Sequence, residues 1–337
     1  MESVTVVTVT YGDRWKFLDL VLHSLLNEQT AVNFIVIVDN GAKDDIETRV
    51  KKYSSDRIII VHLPKNTGSA TGYKVGIETA IEETNSDLIW LLDDDNKPDL
   101  DALEHLLNGY ELLGRNPNNA LLSLRNNDSK LVDFAFRGNL IGSRLNSFFG
   151  FHILDLPQRI TRYIRNPNQP ANPCLPLAQV RFSSYGGLLF HRSWVKLIGL
   201  PNPDFFIYGD DYEYTYRITK SGGCIYLCAT SRIQDIDKSW HNQPRKGHPL
   251  LSTSASKERI YYSVRNYSFF EVNQLAPNRF VYYINMLFYT VVITVESMIY
   301  TNDHLEMVRR LFLFLKALND GWHSRLGIKY NEISETC

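Results

Sequence analysis

Four short apolar runs, Val4–Val9, Phe34–Val38, Arg57–Leu63 and Leu88–Leu92, punctuate the first part of the chain, and what lies between them narrows the fold more than any other feature. The runs are rich in β-branched and aliphatic residues and too short for helices, so they read as strands. After the first, Phe17, Leu18, Leu20, Val21, Leu25 and Leu26 recur at helical spacing. Asp44–Tyr53 reads as a short helix, and a glycine-rich loop, Lys65–Gly72, leads into a helix through about Thr84. Strands alternating with helices imply an α/β fold with a mostly parallel, doubly wound sheet flanked by helices. Ligands of such sheets sit outside the carboxyl ends of the strands. The polar turns Thr10–Arg14 and Asp39-Asn40-Gly41, the glycine-rich loop and Asp93-Asp94-Asp95 all fall at those ends.

The carboxylate triplet is the sharpest chemical signal. It closes the buried run Leu88-Ile89-Trp90-Leu91-Leu92, and Pro98 is expected to stop any continuation of that strand. Three adjacent like charges repel, and burying them without a partner is costly. In an extended chain Asp93 and Asp95 point the same way, so they could share one hard cation such as Mg2+ or Mn2+, with Asp94 turned back toward the protein. A solvated acidic turn is the alternative reading.

Further along, Leu103, Leu106, Leu107, Tyr110 and Leu113 mark a helix ending near Gly114. The pattern from about Ala120 to Ser183 is irregular. It includes Arg159, Arg162 and Arg165, read as a solvated face, and a proline-rich loop over 166–173. Gly186-Gly187 would let backbone approach a ligand closely. Phe205-Phe206-Ile207-Tyr208 then precede Gly209-Asp210-Asp211-Tyr212-Glu213-Tyr214, where acidic residues open a helix. They either cap that helix or supply a carboxylate whose pKa an apolar setting raises toward base strength. Ile225–Cys228 reads as a strand, and Trp240-His241 sits in a polar loop. The C-terminal part is helical from about residue 259. Its apolar stretch, Phe280–Ile299, is interrupted by Asn285 and Glu296 and reads as a packed helix or one lying on a membrane surface. Arg309–Leu318 reads as a basic amphipathic helix.

With 337 residues, 44% hydrophobic and 22% charged, the chain has the profile of a folded globular protein, and a formal net charge of -1 argues against nucleic-acid binding. Cys174, Cys224, Cys228 and Cys337 show no ligand spacing and no disulfide framework, which fits a reducing, cytoplasmic setting. Met1 leads almost directly into a strand with no basic leader region.

Taken in order and spacing, these motifs resemble the family 2 inverting glycosyltransferases of the GT-A fold, in particular the bacterial rhamnosyltransferase and galactofuranosyltransferase branch. The resemblance runs over about residues 3–325. It rests on Val9-Thr10-Tyr11, Val38-Asp39-Asn40-Gly41, Asn66–Gly72, Asp93-Asp94-Asp95, Gly209–Tyr214, Trp240-His241 and Tyr261-Tyr262-Ser263-Val264-Arg265-Asn266. It implies a GT-A catalytic domain over 1–255, with a nucleotide-sugar half to about 120 and an acceptor half beyond, followed by a C-terminal helical region over 256–337. It also implies roles. Asp39 would contact the base, Thr10, Tyr11 and Arg14 would line base and diphosphate, and Asn66, Gly68 and Gly72 would lie against the donor, with Lys74, Asp94 and Trp240 in the same binding group. Asp93, Asp95 and His241 would hold a divalent cation, Mn2+ or Mg2+. Asp211 would be the general base, with Asp210 beside it on the acceptor or donor sugar. One departure is Ala70-Thr71-Gly72, where the family often carries a Gly-Gly pair.

The expected reaction moves galactofuranose or rhamnose from a UDP- or dTDP-linked donor to a hydroxyl of a cell-surface glycan or lipid-linked acceptor, at the inner face of the cell membrane. The C-terminal helices agree with peripheral membrane contact and equally with a homo-oligomer. Another UDP-hexose donor, a nucleotidyltransferase and a non-catalytic sugar-binding scaffold are the rival readings.

Overall fold

The computed structural model describes residues 2–126, 128, 131, 132, 135, 144–157, 177–237, 248–252 and 255–329. Trp240 and His241, the arginines at 159, 162 and 165, the proline-rich loop, Cys174 and Cys337 lie outside the described residues.

The chain forms two compact units: Met1–Asn139 with Asn172–Pro203 and Asp210–Ser239, and Leu140–Ala171 with Asp204–Gly209 and Trp240–Cys337. The first unit holds the sheet. Its elements are β1 (Val4–Gly12), α1 (Trp15–Leu26), β2 (Phe34–Ala42), α2 (Ile46–Val50), β3 (Ile58–Leu63), α3 (Gly68–Glu83), β4 (Leu88–Asp93), β5 (Asn96–Pro98), α4 (Ala102–Leu112), β6 (Asn119–Arg125), β7 (Leu177–Val180), β8 (Leu188–His191), α5 (Ser193–Ile198), α6 (Asp210–Lys220) and β9 (Cys224–Asp235). The strand order is β3-β2-β1-β4-β8-β6-β9-β5, with β7 also paired to β9.

The sheet is parallel across β3-β2-β1-β4 and mixed beyond it: β8 runs antiparallel to both β4 and β6, and β6 is parallel to β9. The order reverses between β1 and β4, because β2 and β3 are added on one side of β1 and β4 on the other. Such a switch point opens a crevice at the carboxyl ends of the two central strands. Val9 lies opposite Asp93 in this pair, so the β1 turn and the carboxylates meet there. Both faces of β1 and β4 are covered, and Val4, Val6, Leu88, Trp90 and Leu92 lie in one buried cluster with Leu18, Leu22 and Leu106. The helix α3 packs close because it carries glycines on its sheet face. A Cβ on Gly76 would come within 2.5 Å of Val7 Cγ1.

Three expectations change. The stretch from 120 to 183 supplies most of β6 and all of β7, a four-residue strand too short for a periodicity argument. Helix α3 begins at Gly68, inside the segment read as a loop. Pro98 ends a separate edge strand, β5, paired only with β9, where a missing N–H is tolerated.

A buried carboxylate beyond α1 carries a stability prediction. Glu28 is 8% exposed and neither oxygen has a hydrogen-bond partner of normal geometry, although the Leu103 N–H lies near. Burial, with Asp101 and Asp99 adding to it, pushes its carboxyl up to about 8. A carboxyl raised on folding stabilises the fold fully below its unfolded pKa, and that contribution is lost as pH rises through the folded value. The window therefore runs from about pH 4.5 to about 8. Glu28→Gln is expected to melt about 5 °C above the parent at pH 9 and to lose that advantage at pH 5. Parallel melting curves at both pH values would contradict the assignment.

The second unit is helical: α7 (Lys257–Phe270), continued by a wider turn over Glu271–Leu275, then α8 (Arg279–Tyr300) and α9 (His304–Trp322). Its core gathers Ile260, Tyr261, Val264, Tyr282, Ile293, Phe314 and Leu318. The helix read as basic and amphipathic turns one arginine inward: buried Arg310 donates to the carbonyls of Ser252 (2.6 Å) and Ala255 (2.7 Å). The Tyr-Tyr-Ser-Val-Arg-Asn segment holds backbone. Asn266 Nδ2 donates at 2.8 Å to the carbonyls of Phe205, Ile207 and Tyr208. Those bonds fix a loop in which Phe206, Tyr208 and Gly209 all have positive φ, a costly conformation that persists only when its surroundings enforce it.

Candidate active site

Strand β4 ends at Asp93, and Asp94 and Asp95 form a turn. The alternation rule that placed Asp93 and Asp95 on one side therefore does not operate, since the chain is not extended there. The turn instead distributes the carboxylates around two arginines. Arg14, just past β1, donates through Nε to both oxygens of Asp94 (2.9 Å), through Nη2 to Asp95 (2.8 Å) and through Nη1 to Asp237 (2.7 Å). Arg125, the last residue of β6, donates through Nη2 to Asp93 (2.8 Å) and lies 3.8 Å from Asp235. Tyr73 donates to Asp93 (2.7 Å), Thr10 to Asp94 (2.8 Å), and Asn96 ties the turn to Asp235 (2.7 Å). Asp94 is 3% exposed, turned inward as expected.

Asp93, Asp94, Asp95, Asp235 and Asp237 thus gather around the Arg14 and Arg125 guanidinium groups. Burial first, then Asp93, lifts Asp95 to about 6. Burial lifts Asp94 to about 7 despite the Arg14 contact, and it raises Asp235 as well. Burial opposes charge on the arginines, yet Asp94 and Asp95 around Arg14, and Asp93 and Asp235 around Arg125, more than offset it. Among the described residues no three acidic, His or Cys side chains converge as a ready cation cage. The donor chemistry still fits a hard cation, because the groups are carboxylate oxygens, the donors such ions take.

The second pair of carboxylates opens α6. Buried Asp210 accepts from Ser69 Oγ (3.1 Å to each oxygen), and burial with the Asp211 charge raises its carboxyl well above the usual range. Asp211 accepts from the Tyr212 N–H (2.9 Å). Desolvation pushes its carboxyl up to about 7; the Tyr212 N–H lowers it, the Asp93 charge raises it and Arg125 lowers it. Asp211 therefore lies within electrostatic reach of Asp93 and Arg125, with a pKa in the range of a general base.

The structure brings Thr10, Arg14, Asp93, Asp94 and Asp95 into one network and sets Asp211 in its electrostatic reach. Tyr11 joins it only through the Arg14 guanidinium, 5.4 Å from its ring centre. Asp39 closes its own turn by accepting from the Ala42 N–H (2.7 Å), with His62 at 3.0 Å. Asn66 accepts from the Gly68 N–H (2.9 Å), Asn40 clamps Thr67 and Gly68, and Gly68 itself has φ +83°. Gly72 is accounted for by packing, since a Cβ there would lie 2.5 Å from Val9 Cγ1. Lys74 is half-buried on α3.

Residue-level reading missed Arg125, Asp235, Asp237, Asn96 and Tyr73. No local pattern marks Arg125 or Asp235, because they meet the triplet only through the pairing of strands distant in sequence. Gly186, noted for its small size, proves structural to the site. A Cβ there would overlap Asn96 Oδ1 and Arg125 Nη2 and approach Asp93 Oδ2 to 2.8 Å. Gly186→Ala is expected to displace these groups, cutting turnover at least about tenfold and costing about 1–3 kcal/mol of stability. Wild-type turnover in a folded Gly186→Ala protein would show that the network tolerates the shift.

Comparison with known proteins agrees with this layout. The glycosyl transferase family 2 model matches residues 5–196, spanning β1 through the β4 carboxylates and Arg125. A galactofuranosyltransferase, GlfT1, of Mycolicibacterium smegmatis is 25% identical over 237 residues, 68% of this chain and 70% of that protein. Chondroitin synthase of Pasteurella multocida is 24% identical over 290 residues, but the chain spans only 28% of its length. Among solved structures, the mannosyltransferase PcManGT of Pyrobaculum calidifontis, in complex with GDP-Man and Mn2+, superposes with a TM-score of 0.51 at 13% identity, covering 99% of this chain and 78% of that one. GalNAc-T7 with UDP, GalNAc and Mn2+ gives a TM-score of 0.51 at 15% identity, over 82% of this chain and 52% of that one. These likenesses show the GT-A fold. The chain belongs to glycosyl transferase family 2 and is a glycosyltransferase.

Proposed function

We propose that the protein moves a sugar, galactofuranose before rhamnose, from a nucleotide diphosphate donor to a hydroxyl of a cell-surface glycan or its lipid-linked precursor, inverting the anomeric centre. The observation that carries this reading is Asp211, held near neutral pKa, within electrostatic reach of Asp93 and Arg125. The similarity to the galactofuranosyltransferase supports the choice of sugar.

In this mechanism Asp211 takes the proton of the acceptor hydroxyl as its oxygen attacks the anomeric carbon. One base suffices, since inversion forms no covalent intermediate. Asp210, anchored by Ser69, orients a sugar hydroxyl. Arg14 and Arg125 keep the carboxylates ordered. Asp93 and Asp95 would hold a divalent cation, which neutralises diphosphate charge when bound; His241 would complete the set from outside the described residues. Asp39 and the Thr10–Arg14 turn bind the nucleotide, placing the donor half before about residue 120 and the acceptor half after it.

A thermal-shift panel of UDP, dTDP, GDP and CMP, each with and without Mn2+, tests the donor. A ligand that binds only the folded state raises the melting temperature by mass action. A Mn2+-dependent rise with UDP alone supports galactofuranose or another UDP-sugar, and a rise with dTDP alone transfers the assignment to rhamnose. No rise with any nucleotide removes the donor reading.

A further inference from the structure

Helix α8 presents the largest unexplained surface of the molecule. It passes the length and hydropathy test of a membrane span, yet one face is tied to its own unit. Tyr282 donates to Glu271 (3.1 Å), and Asn285 accepts from the Ile153 N–H (3.0 Å) and donates to the Asn146 carbonyl (2.8 Å). A helix crossing a bilayer would lose those bonds. The opposite face is open. Phe288, Val291, Val295 and Met298 are 47%, 53%, 50% and 49% exposed.

The open residues have a register. Val281, Ile284, Phe288, Val291, Val295 and Met298 are separated by three, four, three, four and three positions, the a/d spacing of a helix that packs against another helix, and none of them is buried. Leu287, Val292 and Ile299 widen the stripe and are at least half exposed. Such large side chains, half uncovered, expose on the order of 1,000 Å², above the largest patch of a typical monomer and about what one partner buries in a stable interface. Arg279 and Glu296 are the only charged residues of the helix. A helix built for a lipid surface carries flanking lysines and arginines; this one offers a single charge of each sign.

We propose that this face is covered by α8 of a second copy of the chain, the two helices pairing about a two-fold axis along the a/d seam. The interaction is apolar and self-complementary and needs no other partner.

Sedimentation equilibrium of the full chain, without detergent at micromolar concentration, tests it. The expected mass is that of two chains. Val291→Lys places a charge in the seam of each copy and is expected to weaken association roughly a hundredfold, giving one-chain mass. Its melting curve should stay cooperative, because Tyr282, Asn285 and Ile293 anchor the other face. Leu112→Lys, at a more exposed leucine on α4, should leave the two-chain mass unchanged. A wild-type protein of one-chain mass overturns the proposal, as does one that is monomeric and sediments with phosphatidylcholine vesicles. A folded Val291→Lys protein that keeps two-chain mass removes the seam. The wild-type mass decides even where the variant does not fold.

Discussion

Asp211→Asn is expected to lower kcat by about 10²–10⁴-fold while leaving nucleotide affinity within about twofold of the parent. The substitution keeps the size of the side chain and its acceptor for the Tyr212 N–H, so the start of α6 should be undisturbed. It removes only the group that receives the proton. Asp211 also contributes negative charge near Asp93, so a small gain in the folded stability of the site is expected, because desolvation disfavours its charged form. Titration of the nucleotide followed calorimetrically, alongside turnover, separates the two effects. Equal losses in affinity and turnover would place Asp211 in donor binding instead of proton transfer.

The second large effect concerns the β4 carboxylates. Asp93→Ala strips Arg125 of its 2.8 Å partner and of much of the charge that holds it, so lost activity there mixes two causes. Asp95→Ala is the cleaner variant, since Arg14 keeps Asp94 and Asp237. It should raise the Mn2+ concentration for half-maximal activity by about 10–100-fold with a melting temperature close to that of the parent. Unchanged metal dependence in a folded Asp95→Ala protein would sink the assignment of Asp95 as a ligand.

Much of this architecture was legible in the residues because β1, β2 and β4 are largely buried and β3 is a continuous aliphatic run. Continuous β-branched runs between helices with one apolar stripe can only be satisfied by a layered sheet. The parallel half of the sheet, with its polar turns gathered at one edge, follows from that pattern. The mixed half does not. The strands β7 and β8 are short, and the pairing of β6 to β8 is set by contacts distant in sequence, such as Leu121 with Leu189. For the same reason Arg125 was invisible as a site residue: nothing local to Asn119–Arg125 announces that its guanidinium will meet Asp93 and Asp235.

The carboxylate triplet teaches a narrower lesson. Its chemistry was read from composition alone, but its geometry was not, because the extended chain assumed for Asp93 and Asp95 gives way to a turn that Asn96 closes by accepting from the Asp93 N–H (3.2 Å). Asp211 lay between two readings, helix cap and base. The structure places it in the first turn of α6, where burial raises its carboxyl.

The measurement that tests the account most directly is the pH dependence of kcat/KM, which reports the free enzyme. A base must be deprotonated to act, and desolvation holds the Asp211 carboxyl at about 7. The wild type should therefore lose activity about tenfold per pH unit below neutrality and reach a plateau above it, while the residual activity of Asp211→Asn shows no such acid limb. At saturating Mn2+, which keeps Asp95 deprotonated, an acid limb that persists unchanged near pH 7 in Asp211→Asn would contradict the account, because the limb would then belong to another group.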